Sequence, residues 1–226
     1  MTRTAIIAAM SGELKPITDG WKRERRGSVD LWLHRDENLY VAACAGMGRD
    51  AATHAFTAIE ADAPIDLVFS VGWAGALAPS MMPGTAHNAA GVIDARTGER
   101  FPCDAGAGPL WLVTSPAVAD EAEKRRLAET YGAAMVDMEA AAVARLAAMR
   151  RIPFYAIKGI SDGLRDKLPD FNRFISPSGQ LRAGRLAISV LPRPIYWPAL
   201  LRMGENSKRA SRAIANVLHD FLNERE

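Results

Sequence analysis

Short apolar runs alternate with amphipathic stretches along the chain, which predicts strands interleaved with helices. Thr4–Met10 has the length of a buried strand, and Ser11–Ile17 follows as a helix start with Ser11 placed to cap it. Val29–His34 and Leu39–Ala45 read as a strand pair across Arg35–Asn38. Asp50–Ala61 reads as a helix and Leu67–Gly72 as a strand. His87–Asp94 and Leu110–Ser115 are weaker strands around the turn-rich Arg96–Gly108. Pro116–Tyr131 is a predicted helix with acids early and Lys124, Arg125 and Arg126 later, the order a helix dipole prefers. Met135–Asp137 is a short strand, Met138–Met149 an alanine-rich helix, and Pro153–Ile160 an apolar strand ending in Ser161–Asp162. From Pro169 the pattern is helical: Gly184–Leu191, a break at Pro194–Pro198, and a last helix over Ser207–Leu222. Strands apolar on both faces and alternating with helices predict a mostly parallel sheet covered on both sides.

Composition narrows the class. The 226 residues are enough for one large core, and 49% hydrophobic with 24% charged residues excludes disorder as the main state. No run of 18 apolar residues occurs, and the apolar stretch at the start is too short for a signal-peptide core. Two cysteines, Cys44 and Cys103, cannot build a disulfide framework, and four scattered histidines give no zinc site. These features predict a reducing cytoplasm and no metal. Charge is uneven: residues 1–164 carry 17 basic and 20 acidic side chains, residues 165–226 carry 11 and 6. The basic tail reads first as a solvated helical face, with nucleic acid or an anionic lipid surface as the partners of the other readings.

In such sheets ligands sit at the carboxyl ends of strands. Met10–Glu13, Gly72–Gly75 and Ser161–Asp162 all fall there. Gly46-x-Gly48-x-x-Ala51 follows a strand and opens a helix, as a dinucleotide fingerprint would. Yet the acidic residue at the right count, Asp66, begins its strand instead of ending it, which argues against a nicotinamide or flavin cofactor. A glycine turn at a helix start remains an anion or ribose seat, to which Arg49 would add charge, or it is a plain tight turn. The glycines flanking Trp73 and Ala74 either admit a ligand to the backbone or simply end a strand. Glu139 either stabilises its helix start or accepts hydrogen bonds from a sugar diol. Asp162 is either a helix cap or, in a dry setting, a carboxyl able to donate a proton near neutrality.

In order, Met10–Glu13, Gly46–Gly48, Gly72–Gly75, Met138–Glu139 and Ser161–Asp162 resemble the nucleoside phosphorylase/nucleosidase superfamily, over about residues 3–165. Ala9-Met10-Ser11-Gly12-Glu13 is similar to the nucleosidases' opening Ala-Met-x-x-Glu. Val136–Ala142 is similar to their Val-x-Met-Glu-Ala, and Ile160-Ser161-Asp162 to their Ile-Ser-Asp. The resemblance implies a three-layer α/β/α fold with a mixed, mostly parallel central sheet and a helical C-terminal extension. It divides the chain into a catalytic α/β domain over 1–165 and an extension over 166–226 packed on it.

The implied activity is cleavage of the N-glycosidic bond of a purine nucleoside, a 5′-modified adenosine by expectation, without metal or organic cofactor. Glu13 would activate water, Glu139 with the backbone near Met138 would hold the ribose, and Asp162, beside Ser161, would protonate the base at N7. Gly46, Gly48, Arg49, Trp73, Ala74 and Gly75 complete the expected binding set. The transition state is oxocarbenium-like and a purine anion is a poor leaving group, so a base, an acid and a carboxylate near the sugar suit the reaction. A carboxylate at Glu13 favours water over phosphate: two unit charges about 4 Å apart cost about 4 kcal/mol at an effective dielectric of 20. Arg49 as a phosphate ligand would favour phosphorolysis, with orthophosphate as co-substrate. A non-catalytic nucleoside-binding protein is the alternative of another class. The bland alternative has Glu13 facing solvent from its helix.

Three departures from the family stand out. Its members usually carry a small polar residue at Trp73, so this indole fills part of the nucleophile space or points elsewhere. Residues 77–115 are shorter than in typical nucleosidases and lack an evident aromatic motif for stacking the base. The tail beyond Asp162 extends past the usual end. From Arg193 to Met203, and again over Ser207–Leu222, the tail resembles the hopanoid-associated phosphorylases, which are linked to removing adenine from an adenosylated triterpenoid. That likeness implies peripheral lipid contact and an apolar subsite at Trp73, Met81 and Met82. By family analogy the protein is a cytoplasmic homodimer that takes no nucleic acid.

Overall fold

The computed structural model describes residues 2–35, 39–104 and 108–223. The connection expected at Arg35–Asn38 and part of Arg96–Gly108 lie outside the described residues. Ten strands form one mixed sheet: β1 (Thr4–Ala8), β2 (Lys22–Arg26), β3 (Val29–Leu33), β4 (Tyr40–Cys44), β5 (Leu67–Ala76), β6 (Ala86–Asp94), β7 (Arg100–Pro102), β8 (Leu110–Thr114), β9 (Met135–Asp137) and β10 (Phe154–Asp162). Helices are α1 (Ser11–Leu14), α2 (Arg49–Glu60), α3 (Glu121–Tyr131), α4 (Ala140–Arg150), α5 (Ala183–Val190) and α6 (Trp197–Asn223).

At the centre β10, β5, β1 and β4 run parallel. β3 and β2 add an antiparallel edge. On the other side β10 pairs with β6, β6 with β8, β8 with β9, and β9 returns to β5. These five strands therefore close on themselves, and the long β5 belongs to both the open and the closed part. Two short strands escape sequence reading. β2 reads Lys-Arg-Glu-Arg-Arg, because an edge strand needs no apolar face and charge protects it from pairing with other chains. β7 is three residues beside a turn.

The layers follow from residue size. α2 buries Ala51, Ala52, Ala55, Phe56 and Ile59, one helical face. α4 buries Ala140–Ala144 and Ala147, and these small residues let the two helices share one side of the sheet. The opposite side is covered by α6, whose Ile214 and Leu218 pack with Ile6, Phe69, Tyr155 and Ile157. Gly159 of β10 permits this contact: a Cβ there would lie 2.7 Å from the Ala210 Cβ. Residues beyond 165 thus supply one layer of the core.

Local boundaries differ from expectation for identifiable reasons. Met10, not Ser11, occupies the N-cap of α1. α3 begins at Glu121 instead of Pro116, because Asp120 accepts the Glu123 N–H at 2.9 Å and fixes the start. The prolines at 194 and 198 do not end the helical tail. Pro198 falls in the first turn of α6, where a missing N–H costs nothing.

Candidate active site

Chain segments from five places meet in one cavity at the carboxyl ends of β1, β5, β9 and β10. Its walls include Met10 and Glu13, Trp73–Gly75, Met138–Glu139, Ser161–Asp162, and Lys124 of α3.

Glu13 does not face solvent. It is 3% exposed, and its carboxylate turns back over the end of β1. Oε2 accepts the Ala9 and Met10 N–H groups at 2.9 and 2.7 Å, and Oε1 accepts the Trp73 N–H at 2.7 Å. A carboxylate offers about four acceptor positions, so one remains for a water. Burial raises the Glu13 pKa, opposed by these three N–H groups and by the Lys158 charge. Gly72 makes the arrangement possible: its φ is +142°, and a Cβ there would stand 2.8 Å from Glu13 Oε1.

Glu139 sits at the N-cap position of α4, but its side chain does not cap that helix. Asp137 does, accepting the Ala140 N–H at 2.9 Å. Glu139 Oε1 instead accepts the Gly48 N–H at 2.6 Å. Burial, then the neighbouring Asp137 charge, pushes its pKa up to about 8. Beneath it lies an ion pair absent from the sequence reading. Lys158 meets Asp137 at 2.9 Å with both side chains at most 1% exposed, and also donates to Ser70 Oγ at 3.0 Å. Thr114 Oγ1 donates to Asp137 Oδ1 at 2.6 Å.

Asp162 is buried, as its strand suggests, but its surroundings are charged and polar, not apolar. The Lys124 ammonium is ion-paired with Oδ2 and donates to the Gly163 carbonyl at 2.7 Å. Ser161 Oγ donates to Asp162 Oδ1 at 2.5 Å. Lys124 is 3% exposed and belongs to the cavity wall. Its position along the helix suggests only a dipole role, since nothing local marks a helical lysine that reaches inward.

The remaining candidates divide. Trp73, Ala74 and Gly75 line the cavity, and the Trp73 indole N–H donates to Ser211 Oγ on α6 at 2.9 Å. The ring thus points toward α6 and walls both this cavity and an adjoining apolar one of about 920 Å³, which Phe171, Leu200 and Met203 also line. Met81 is in the core and Met82 is 61% exposed; neither lines these cavities. Gly46 serves packing: a Cβ there would lie 2.8 Å from Gln180 Nε2 and 2.9 Å from the Gly179 carbonyl oxygen. Gly48 and Arg49 line a second cavity, where Arg49 meets Asp94 at 2.5 Å and Arg145 meets the same carboxylate at 3.1 Å. Arg49 is therefore engaged with Asp94 and does not line the first cavity. Ala117–Ala119, after β8, and Met47 and Met203 line the first cavity unforeseen. No group of three or more His, Cys, Asp or Glu placed to hold a metal occurs among the described residues. No helix among them is long and apolar enough to cross a membrane.

Residues 95–191, which contain Glu139 and Asp162, match the family model of the Phosphorylase superfamily. A comparison with curated proteins finds no match. Among the solved structures that share the fold are the following three. One is the Helicobacter pylori 5′-methylthioadenosine/S-adenosylhomocysteine nucleosidase with butyl-thio-DADMe-Immucillin-A, at 16% identity and a TM-score of 0.74, covering 99% of both chains. A futalosine hydrolase mutant of the same organism is 14% identical with a TM-score of 0.75, covering 99% of this chain and 100% of that one. The Neisseria meningitidis nucleosidase with methylthio-immucillin-A is 19% identical with a TM-score of 0.73, again covering 99% and 100%. The match over 95–191 and the shared fold thus agree with the resemblance to the phosphorylase/nucleosidase superfamily. The near-complete mutual coverage corrects the tail: the helical segment beyond Asp162 is part of the shared fold. The tail's likeness to hopanoid-associated phosphorylases gains no support from these three.

Proposed function

We propose that the chain hydrolyses the N-glycosidic bond of a purine nucleoside. The observation that carries this is the convergence of Glu13, Glu139 and Asp162, from three separate strand ends, on one cavity. Glu13, with its one unfilled acceptor position, orients and deprotonates the attacking water. Glu139 receives the ribose hydroxyls, and the Asp162 end receives the base, where a proton must arrive as the bond breaks. Water is favoured over orthophosphate because four carboxyl groups, those of Glu13, Asp137, Glu139 and Asp162, line the cavity, while Lys124 is paired with Asp162 and Arg49 with Asp94. The solved neighbours include nucleosidases bound to nucleoside analogues, which supports the substrate class.

The apolar space beyond Trp73 and Met203 suits a 5′-modified adenosine whose substituent is large and apolar. Exposed Ile188, Leu191, Ile195, Trp197 and Leu201, in a stretch with four arginines and no acid from 182 to 202, support the peripheral lipid contact. A cytoplasmic homodimer completes this reading. Base release from a panel of purine nucleosides, followed chromatographically with and without orthophosphate, tests it. Turnover in phosphate-free buffer is expected. Turnover only with phosphate would make the enzyme a phosphorylase, and binding without turnover would make it a nucleoside-binding protein.

A further inference from the structure

The nucleosidase reading requires a proton to leave with the base, and Asp162 is poorly placed to own it. Its Oδ2 is paired with an ammonium and its Oδ1 accepts from Ser161. A carboxylate in that ion pair is an acceptor on both oxygens. The cation in contact with it is Lys124, which is buried, belongs to the same cavity wall, and has two of its three N–H bonds spent on Asp162 and the Gly163 carbonyl. The fold makes room for the pair. A Cβ on Gly75 would stand 3.0 Å from Lys124 Cε and 3.3 Å from both Lys124 Nζ and Asp162 Oδ2.

Resting on the nucleosidase reading, we propose that Lys124 supplies the proton that departs with the base, acting through Asp162. As C1′–N9 breaks, its electron pair moves into the purine. N7 takes a proton from Asp162 while Lys124 passes one to Asp162. Lys124 ends as a neutral amine, Asp162 as a carboxylate and the base as a neutral purine. Water adds to C1′ and loses its proton to Glu13, and exchange with solvent then returns Glu13 and Lys124 to their starting forms. Lys124 is a positioning residue in this scheme: it fixes Asp162 and refills it.

Two variants and two substrates test the relay. Lys124→Arg keeps the charge but holds a proton that proteins do not remove. Lys124→Met removes the donor. Each is assayed on a purine nucleoside and on 4-nitrophenyl β-ribofuranoside, whose leaving group departs without protonation, with thermal melts as a folding control. The expected result is a loss of roughly 10²–10⁴-fold on the purine nucleoside for Lys124→Arg, and a loss in the same direction for Lys124→Met. On the nitrophenyl riboside, losses stay under about tenfold, well below that acid–base range. A structural role would instead depress both substrates alike, and a purely electrostatic one would let Lys124→Arg restore purine cleavage; either result overturns the proposal. A folded variant with wild-type purine turnover overturns it too. Wild-type protein inactive on both substrates would refute the nucleosidase reading itself, and the relay with it.

Discussion

Replacing Glu139 by Gln removes a carboxyl proton that the folded protein holds far more tightly than the unfolded chain. Burial and the adjacent Asp137 charge move the Glu139 pKa from 4.5 to about 8. Between these values the unfolded chain has released the proton and the native protein has kept it. Stability from this group is therefore complete below about pH 4.5 and declines as pH rises toward 8, then levels off. At about 1.36 kcal/mol per unit, the full separation is worth roughly 5 kcal/mol as an upper bound. Gln resembles the protonated side chain, and its amide oxygen can still accept the Gly48 N–H now held at 2.6 Å. Glu139→Gln should match wild type near pH 5 and exceed it by a few kcal/mol near pH 9. For a chain of this length that is roughly 10 °C in Tm. Differential scanning calorimetry across pH 5–9 measures it. Glu13 also carries a raised pKa, but it is common to both proteins and cancels in the difference. Parallel Tm curves, with a constant offset at every pH, would show that Glu139 is not held protonated and would refute the electrostatic reasoning.

Three further outcomes follow from the same geometry. Nucleoside binding near pH 7 should release up to about 0.9 proton, because a ribose diol donating to Glu139 favours its ionised form; titration calorimetry in buffers of different ionisation enthalpy counts it, and Glu139→Gln should abolish it. Gly72→Ala should lower kcat at least tenfold with KM less affected, since the new Cβ meets Glu13 Oε1 at 2.8 Å and a φ of +142° strains any side chain; a wild-type kcat would show that the Glu13 position is immaterial. Lys158→Met should destabilise by about 3–5 kcal/mol in urea melts, because it strands the fully buried Asp137 carboxylate without its cation.

Which parts of this site a sequence can announce depends on how each side chain reaches it. Glu13, Glu139 and Asp162 follow directly on strand ends, so the strand-to-helix alternation alone places them on one edge of the sheet. The fold class is legible for the same reason, and so are α2 and α4, whose alanine stripes carry the period of a buried helix. Lys124 reaches the cavity from the first turn of α3, on a helix whose charge pattern is that of any exposed helix. Its inward course becomes visible only when Gly75 and Asp162 are seen to leave room for it. Lys158 sits in an apolar strand, and only the tertiary structure brings its partners Asp137 and Ser70 to it. The glycines show the converse error. Gly46 has the spacing of a ligand turn, yet the close approach it permits is to the chain's own Gly179–Gln180. A glycine signals that something comes near the backbone and is silent about what. Acidic motifs at strand ends therefore mark the candidate site, while the cations paired with those acids, which arrive from other elements, are left for the tertiary structure to disclose.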